Sequence, residues 1–124
     1  GWQLSNAPIF GMTPLKASMK IFDQFGMPAI RSNGIKISSF LIYLIEKNIP
    51  EVSIITPKNF QKRGCQLSIT VADGKRIFTR VSEKGVVCDW REPNVIRVAP
   101  HPLYNSYLEV YDFVKILKNM INEK

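Results

Sequence analysis

Residue types that metal and nucleophile sites depend on are scarce in this chain of 124 residues. There is one histidine, His101, and there are two cysteines, Cys65 and Cys88, whose spacing is not typical of a metal site. Because no serine or cysteine stands in evident relation to the histidine and a carboxylate, we expect no catalytic triad. The spacings of phosphate loops, dinucleotide folds and zinc sites are missing too. Each cysteine lies within an apolar run, so we predict reduced thiols, with a disulfide between them as the less favoured alternative.

Long hydrophobic runs and acidic residues are also in short supply. No stretch approaches the roughly 18 apolar residues of a membrane span, and no charged-then-apolar leader precedes a cleavage site, so we expect no membrane partner. Acidic residues number 10 against 17 basic ones, and the formal charge is +7. This charge could suit a nucleic acid. The basic residues are spread along the chain, however, and cluster only at Lys58, Lys62 and Arg63, so we favour a solvated basic surface.

The composition that remains is typical of an ordinary globular domain, with 45% apolar and 22% charged residues. Apolar positions recur at helical spacing in some segments and alternate in shorter ones. We therefore predict a single α+β domain, a small and mainly antiparallel sheet packed with helices in the order α-α-β-β-α-β-β-α. The helices are predicted to start at Thr13-Pro14, Pro28, Asp73 and the capping box of Ser106 and Glu109, and the strands are predicted at 53–56, 65–71, 86–90 and 95–99.

One basic residue lies inside a strand-like run, Val95-Ile96-Arg97-Val98-Ala99. The alternation places Arg97 on the face opposite Ile96 and Val98. Its guanidinium is a rigid, planar fork of donors that can hold a carboxylate or phosphate through two parallel hydrogen bonds. From the residues alone, the favoured interpretation is an edge-strand arginine that lies over apolar surface with its head in water.

Three separated motifs share one resemblance. The runs GVVCDWREPNVIRVAPHPLYNS at 85–106, GWQLSN at 1–6 and RGCQL at 63–67 make the chain similar to the C-terminal part of kynureninase. The chain departs from the family pattern at Ala7, where a second proline is usual, and at His101, where a small apolar residue is usual. Since it begins at Gly1 inside a motif, we expect a fragment of a longer protein, with residues 1–124 forming a C-terminal small domain.

The resemblance implies a pyridoxal 5'-phosphate enzyme of the aspartate-aminotransferase fold, cytoplasmic and homodimeric. The implied reaction hydrolyses the Cβ–Cγ bond of L-kynurenine, or of its 3-hydroxy form, to anthranilate or 3-hydroxyanthranilate and L-alanine, a step of tryptophan catabolism. The resemblance also implies that Arg97 binds the α-carboxylate of the amino-acid substrate and that Asn6 contacts the cofactor phosphate. No lysine of this chain lies in the sequence context of the family's cofactor-binding lysine, so we predict that the chain alone is inactive.

Two alternative functions stay open. The arginine would serve equally well in the small domain of an aminotransferase-like or desulfurase-like pyridoxal-phosphate enzyme. An α+β RNA-binding module is less favoured, because Trp90 is the only aromatic residue in the predicted strands and base stacking needs exposed aromatic side chains. If a further domain docks on this one, we expect an uncovered apolar patch at Trp2, Ile9, Phe10 and Met12.

Overall fold

The computed structural model describes Asn6 and residues 8–123, and this part of the chain has the predicted α+β fold. Its elements follow one another in the predicted order, with one 3₁₀ turn at Phe60–Lys62 between the first two strands. No helix within the described residues is long and apolar enough to cross a bilayer. In chain order the elements are α1 (Ile9–Phe25), α2 (Met27–Asn48), β1 (Ser53–Ile54), β2 (Leu67–Thr70), α3 (Gly74–Glu83), β3 (Asp89–Arg91), β4 (Val95–Val98) and α4 (Tyr107–Asn122).

The strands form one antiparallel sheet in the order β1-β2-β4-β3, which makes β4 an interior strand. The hairpin pairs β3 with one side of β4, and β2 pairs with the other side. The interpretation of Arg97 as an edge-strand residue is therefore wrong. The pairing of β2 with β4 joins segments on either side of α3, and the alternation within one strand carries no information about such a pairing.

The sheet is buried on one face only. On that face the apolar residues of β2 and β4 pack with α2, α3 and α4 into one hydrophobic core. Burial of each such Leu or Ile side chain contributes about 1.5–3 kcal/mol to folding. The sheet itself contributes Leu67, Ile69, Ile96 and Val98 to this core. The other face is open and mainly polar, and it carries Ser53, Ser68, Thr70, Asp89, Arg91 and Arg97, all half-buried or exposed.

Helix α1 buries none of its residues. It begins at Ile9, so the start predicted at Thr13-Pro14 is wrong and Pro14 lies inside the helix. The Pro8 carbonyl accepts the first bonds of the helix, from the amides of residues 11 and 12 at 3.0 and 2.9 Å. Pro14 has no amide to offer the Phe10 carbonyl, but this turn is exposed, so water can bond that carbonyl instead.

The apolar side chains near the start of α1 are uncovered, as predicted. Ile9, Phe10 and Met12 are 70%, 96% and 52% exposed. Trp2, the fourth member of the predicted patch, lies outside the described residues. Such a patch is typical of a surface that another body covers.

The other two predicted helix caps, at Ser106 and Asp73, differ in outcome. In α4 the capping box is confirmed: Ser106 Oγ accepts from the Glu109 amide at 3.2 Å, and the Glu109 carboxylate accepts from the Ser106 amide at 2.6 Å. Asp73 stands at the N-cap of α3, but its side chain caps nothing. Its backbone is left-handed, with φ 54°, and the carboxylate lies 3.9 Å from Arg76 instead.

Candidate functional site on the open face of the sheet

Arg97 lies near the middle of the open face. In the register of the sheet it is directly opposite Ser68 of β2 on one side and Asp89 of β3 on the other. Its backbone is therefore held by strands on both sides, while its side chain is 31% exposed on the open face. The predicted orientation, away from Ile96 and Val98, is confirmed because both of these residues are buried.

The Asp89 carboxylate joins two guanidinium groups on this face. Its Oδ2 atom accepts from Arg97 Nε at 2.6 Å and lies 2.5 Å from Arg97 Nη2. The same oxygen lies 3.0 Å from Nε of Arg91, two residues along β3. Arg91 and Arg97 are both positive and share the single negative charge of Asp89. These three side chains, the trio, therefore carry a net charge of +1, which attracts a further anion.

The geometry leaves one edge of the Arg97 fork available. Asp89 takes the side edge, formed by Nε and Nη2. The end edge, formed by Nη1 and Nη2, has no hydrogen-bond partner on Nη1 among the described residues. A planar carboxylate fits this edge through two parallel hydrogen bonds. Chemically, the trio can therefore hold a carboxylate and orient it against the open face.

Asn6 is exposed and precedes α1. Helix α1 packs mainly against α2, and no hydrogen bond within the described residues joins Asn6 to Arg97. The structure thus shows no direct bond between the two predicted site residues. A shared site would require groups outside the described chain, and the role of each residue stays a prediction.

Comparison with known proteins agrees with the motifs around Arg97. Residues 30–117 match the family model described as the kynureninase C-terminal domain. The chain belongs to this family. It is 47% identical over 120 residues to the kynureninase of Stenotrophomonas maltophilia (strain K279a), and 45% identical over 120 residues to that of Xanthomonas campestris pv. campestris (strain B100). Both alignments cover 93% of this chain and 28% of the relative.

A third relative gives the same result. The kynureninase of Myxococcus xanthus (strain DK1622) is 43% identical over 126 residues, which cover 99% of this chain and 29% of the relative. The chain thus spans less than a third of the length of these relatives.

The RGCQL motif of the kynureninase resemblance begins with Arg63, which joins its loop to α2. Arg63 donates from Nη1 to Ser38 Oγ at 2.6 Å and from Nη2 to Ser39 Oγ at 3.1 Å. Ser38 is fully buried, and its own hydroxyl donates to the Gly34 carbonyl at 2.6 Å. Burial, followed by the charge of nearby Arg31, lowers the pKa of Arg63. The motif thus has a structural role, to which the sequence offered one clue, the small residues at helical spacing on α2.

His101 fixes the loop that follows β4. Its amide donates to Asn105 Oδ1 at 2.7 Å, and its Nδ1 accepts from the Leu103 amide at 3.3 Å. Its ring stacks on Tyr104 with the centroids 4.4 Å apart and the planes 5° apart. These contacts give His101 a structural role in the loop, and its ring shapes the turn that follows β4.

Two surface grooves lie away from Arg97, which lines neither of them. One open groove of about 600 Å³ lies at the start of α3, beside Trp90. Another, of about 580 Å³, lies between α4 and the end of β4.

Trp90 faces α3, where the centroid of its ring lies 5.8 Å from that of Phe78. The described strands therefore present no aromatic side chain on the open face on which a base could stack. Within the described residues, no group of three or more potential ligand side chains could hold a metal ion.

Proposed function

We propose that the chain is the C-terminal small domain of a pyridoxal-phosphate-dependent kynureninase, with residues 1–124 supplying the carboxylate grip for the substrate. The proposed reaction is hydrolysis of the Cβ–Cγ bond of L-kynurenine, or of 3-hydroxykynurenine, to L-alanine and the corresponding anthranilate. The observation that carries the proposal is the Arg97 fork. It lies on an interior strand, its side chain is 31% exposed, one edge is held by Asp89, and Nη1 has no hydrogen-bond partner among the described residues.

Arg97 would bind the α-carboxylate of the substrate through Nη1 and Nη2. A charge-assisted pair of this kind contributes more than a neutral hydrogen bond, and its two-point geometry fixes the orientation of the bound amino acid. Orientation matters because the scissile bond must be held in one geometry relative to the reacting groups. The side chain is partly exposed here, so a further domain has to cover it for water to be excluded.

The cofactor, when bound, would supply the electron sink that the cleavage requires. Within the described chain, Asn6 offers an exposed amide that could donate to its phosphate. One neutral donor is not enough for a doubly charged phosphate, so the other contacts, and the lysine that attaches the cofactor, would come from the rest of the protein. The uncovered residues of α1 would pack against that same part. We place the enzyme in the cytoplasm as a homodimer.

A chimera tests this proposal directly. The aligned 28% of the Stenotrophomonas maltophilia kynureninase would be replaced by this chain, and anthranilate fluorescence would be followed after addition of L-kynurenine and pyridoxal phosphate. We expect turnover by the chimera, and none by the truncated relative or by this chain alone. A chimera that binds the cofactor, as seen by its absorbance, but forms no anthranilate would contradict the proposal.

The same chimera tests Arg97. In Arg97→Lys the charge remains but the two-point geometry is lost, so we expect kcat/KM for L-kynurenine to fall by roughly ten- to a hundredfold. The matched control is Arg76→Lys, an exposed arginine of α3 that lies near Asp73 and takes no part in the open face of the sheet. Unchanged kcat/KM in Arg97→Lys would show that this fork does not bind the substrate.

A further inference from the structure

Asp89, a second residue of the open face, binds one edge of the Arg97 guanidinium. Asp89 is the cross-strand partner of Arg97 in the β3–β4 pair, so the sheet register itself brings the two side chains together. One oxygen, Oδ2, contacts both Nε and Nη2 of Arg97, at 2.6 and 2.5 Å. Asp89 is about half exposed, so this pair lies at the surface of the described chain, and its electrostatic energy alone is modest.

The value of the contact lies in geometry. An arginine side chain has several rotatable bonds, and a free one samples many orientations of its guanidinium. Asp89 holds the side edge of the fork, and this fixes the direction of the end edge. It also offsets the repulsion between Arg97 and Arg91, whose Nε lies 3.0 Å from the same oxygen. Without Asp89, two like charges on adjacent strands would repel each other.

We propose that Asp89 is a positioning residue, which holds Arg97 so that its end edge is ready for the α-carboxylate of the substrate. This inference depends on the function proposed above for Arg97. The substrate does not displace Asp89, because the two carboxylates use different edges of the fork. The net charge of +1 on Arg91, Asp89 and Arg97 is neutralised when the substrate carboxylate arrives.

The test compares two ligands in the chimera and in its Asp89→Asn variant. One ligand is L-kynurenine, and the other is the amine that lacks only the α-carboxylate. For Asp89→Asn we expect KM for L-kynurenine to rise about tenfold or more with a smaller change in kcat, because a misdirected fork weakens binding of the carboxylate. The inhibition constant of the amine should change less than twofold. Equal weakening of both ligands would indicate a merely structural role and would overturn the inference.

Two further variants make the outcome specific. Glu92→Gln removes a negative charge from the same hairpin at an exposed site that contacts Lys75 and Trp90 instead of Arg97, and it should leave KM unchanged. In an Arg97→Lys background, Asp89→Asn should add little to the rise in KM, because Asp89 acts through the fork. If Arg97→Lys raises KM while Asp89→Asn does not, the positioning role alone fails. If neither raises KM, the proposed role of Arg97 fails as well.

Discussion

Replacement of Gly34 by alanine sets helix propensity against a packing clash. Gly34 lies inside α2, where glycine costs about 1 kcal/mol relative to alanine, so an exposed position would gain that amount from Gly34→Ala. The added Cβ, however, would lie 2.6 Å from Cys65 Sγ. Non-bonded heavy atoms are most stable about 3.5–4.0 Å apart, so Cys65 or the loop that carries it must move.

The expected magnitude follows from these two terms. Overpacking of this kind costs about 1–3 kcal/mol, which exceeds the propensity gain. We therefore expect Gly34→Ala to lower the free energy of unfolding by about 1 kcal/mol. When Cys65 is also replaced by alanine, the nearest remaining atom is Pro102 Cγ at 3.7 Å, an ordinary contact. In the Cys65→Ala background the same change should therefore stabilise the chain by up to about 1 kcal/mol.

Urea unfolding of the 124-residue chain, followed by far-UV circular dichroism, measures this double-mutant cycle. The coupling between the two sites should be about 2 kcal/mol, with a change of sign between the backgrounds. Gly11→Ala in α1 is the matched control, because its Cβ would meet no atom within 4 Å, and it should not destabilise the chain. If Gly34→Ala stabilised the wild-type and Cys65→Ala backgrounds equally, the close contact would not constrain this site.

Further predictions concern Ser106 and Ser38. Ser106→Ala removes the N-cap of α4 and should lower the free energy of unfolding by about 1 kcal/mol in thermal or urea unfolding. The Ser106 amide, and then its hydroxyl, lower the pKa of Glu109 from its usual 4.5, so this stabilisation is present above that value and is lost as the pH falls through the lower folded pKa. Glu109→Gln should accordingly flatten the loss of stability as the pH falls below 4.5, and an unchanged acid profile would exclude the capping-box origin. Ser38→Ala leaves Arg63 without a buried acceptor and should cost about 1–3 kcal/mol, whereas Ser39→Ala, which affects an exposed contact, should cost less than half as much; equal costs would contradict the assigned role of Ser38.

The sequence predicted those features that depend on residues close together in the chain. The capping box of α4 and the orientation of Arg97 follow from spacings of a few residues, and both are confirmed. The predicted start of α1 is wrong because Thr13-Pro14 has the residues of a typical helix start, whereas the Pro8 carbonyl accepts the first helical bonds. When two possible helix starts lie within a few residues of each other, the local pattern does not show which one the helix uses.

Several contacts that stabilise the fold join residues far apart in the chain, and local sequence patterns do not reveal them. Arg63 reaches Ser38 from a loop that follows the first strand, and Cys65 fits against Gly34 because no side chain intervenes. The sequence gives no local signal for Asp89, for a different reason. Its pairing with Arg97 depends on the register of a short hairpin, and a shift of one residue would turn the carboxylate to the opposite face of the sheet.

The interior position of β4 changes what Arg97 can do. On an edge strand, the backbone beneath the arginine would be paired on one side only, and the strand could shift with its ligand. Here β2 and β3 hold β4 from both sides, so the Cα of Arg97 is fixed and only side-chain rotations remain free. Asp89 restricts those rotations from the neighbouring strand. The sheet therefore fixes both the backbone position of Arg97 and the orientation of its guanidinium before any ligand arrives. This would lower the entropic cost of binding a carboxylate.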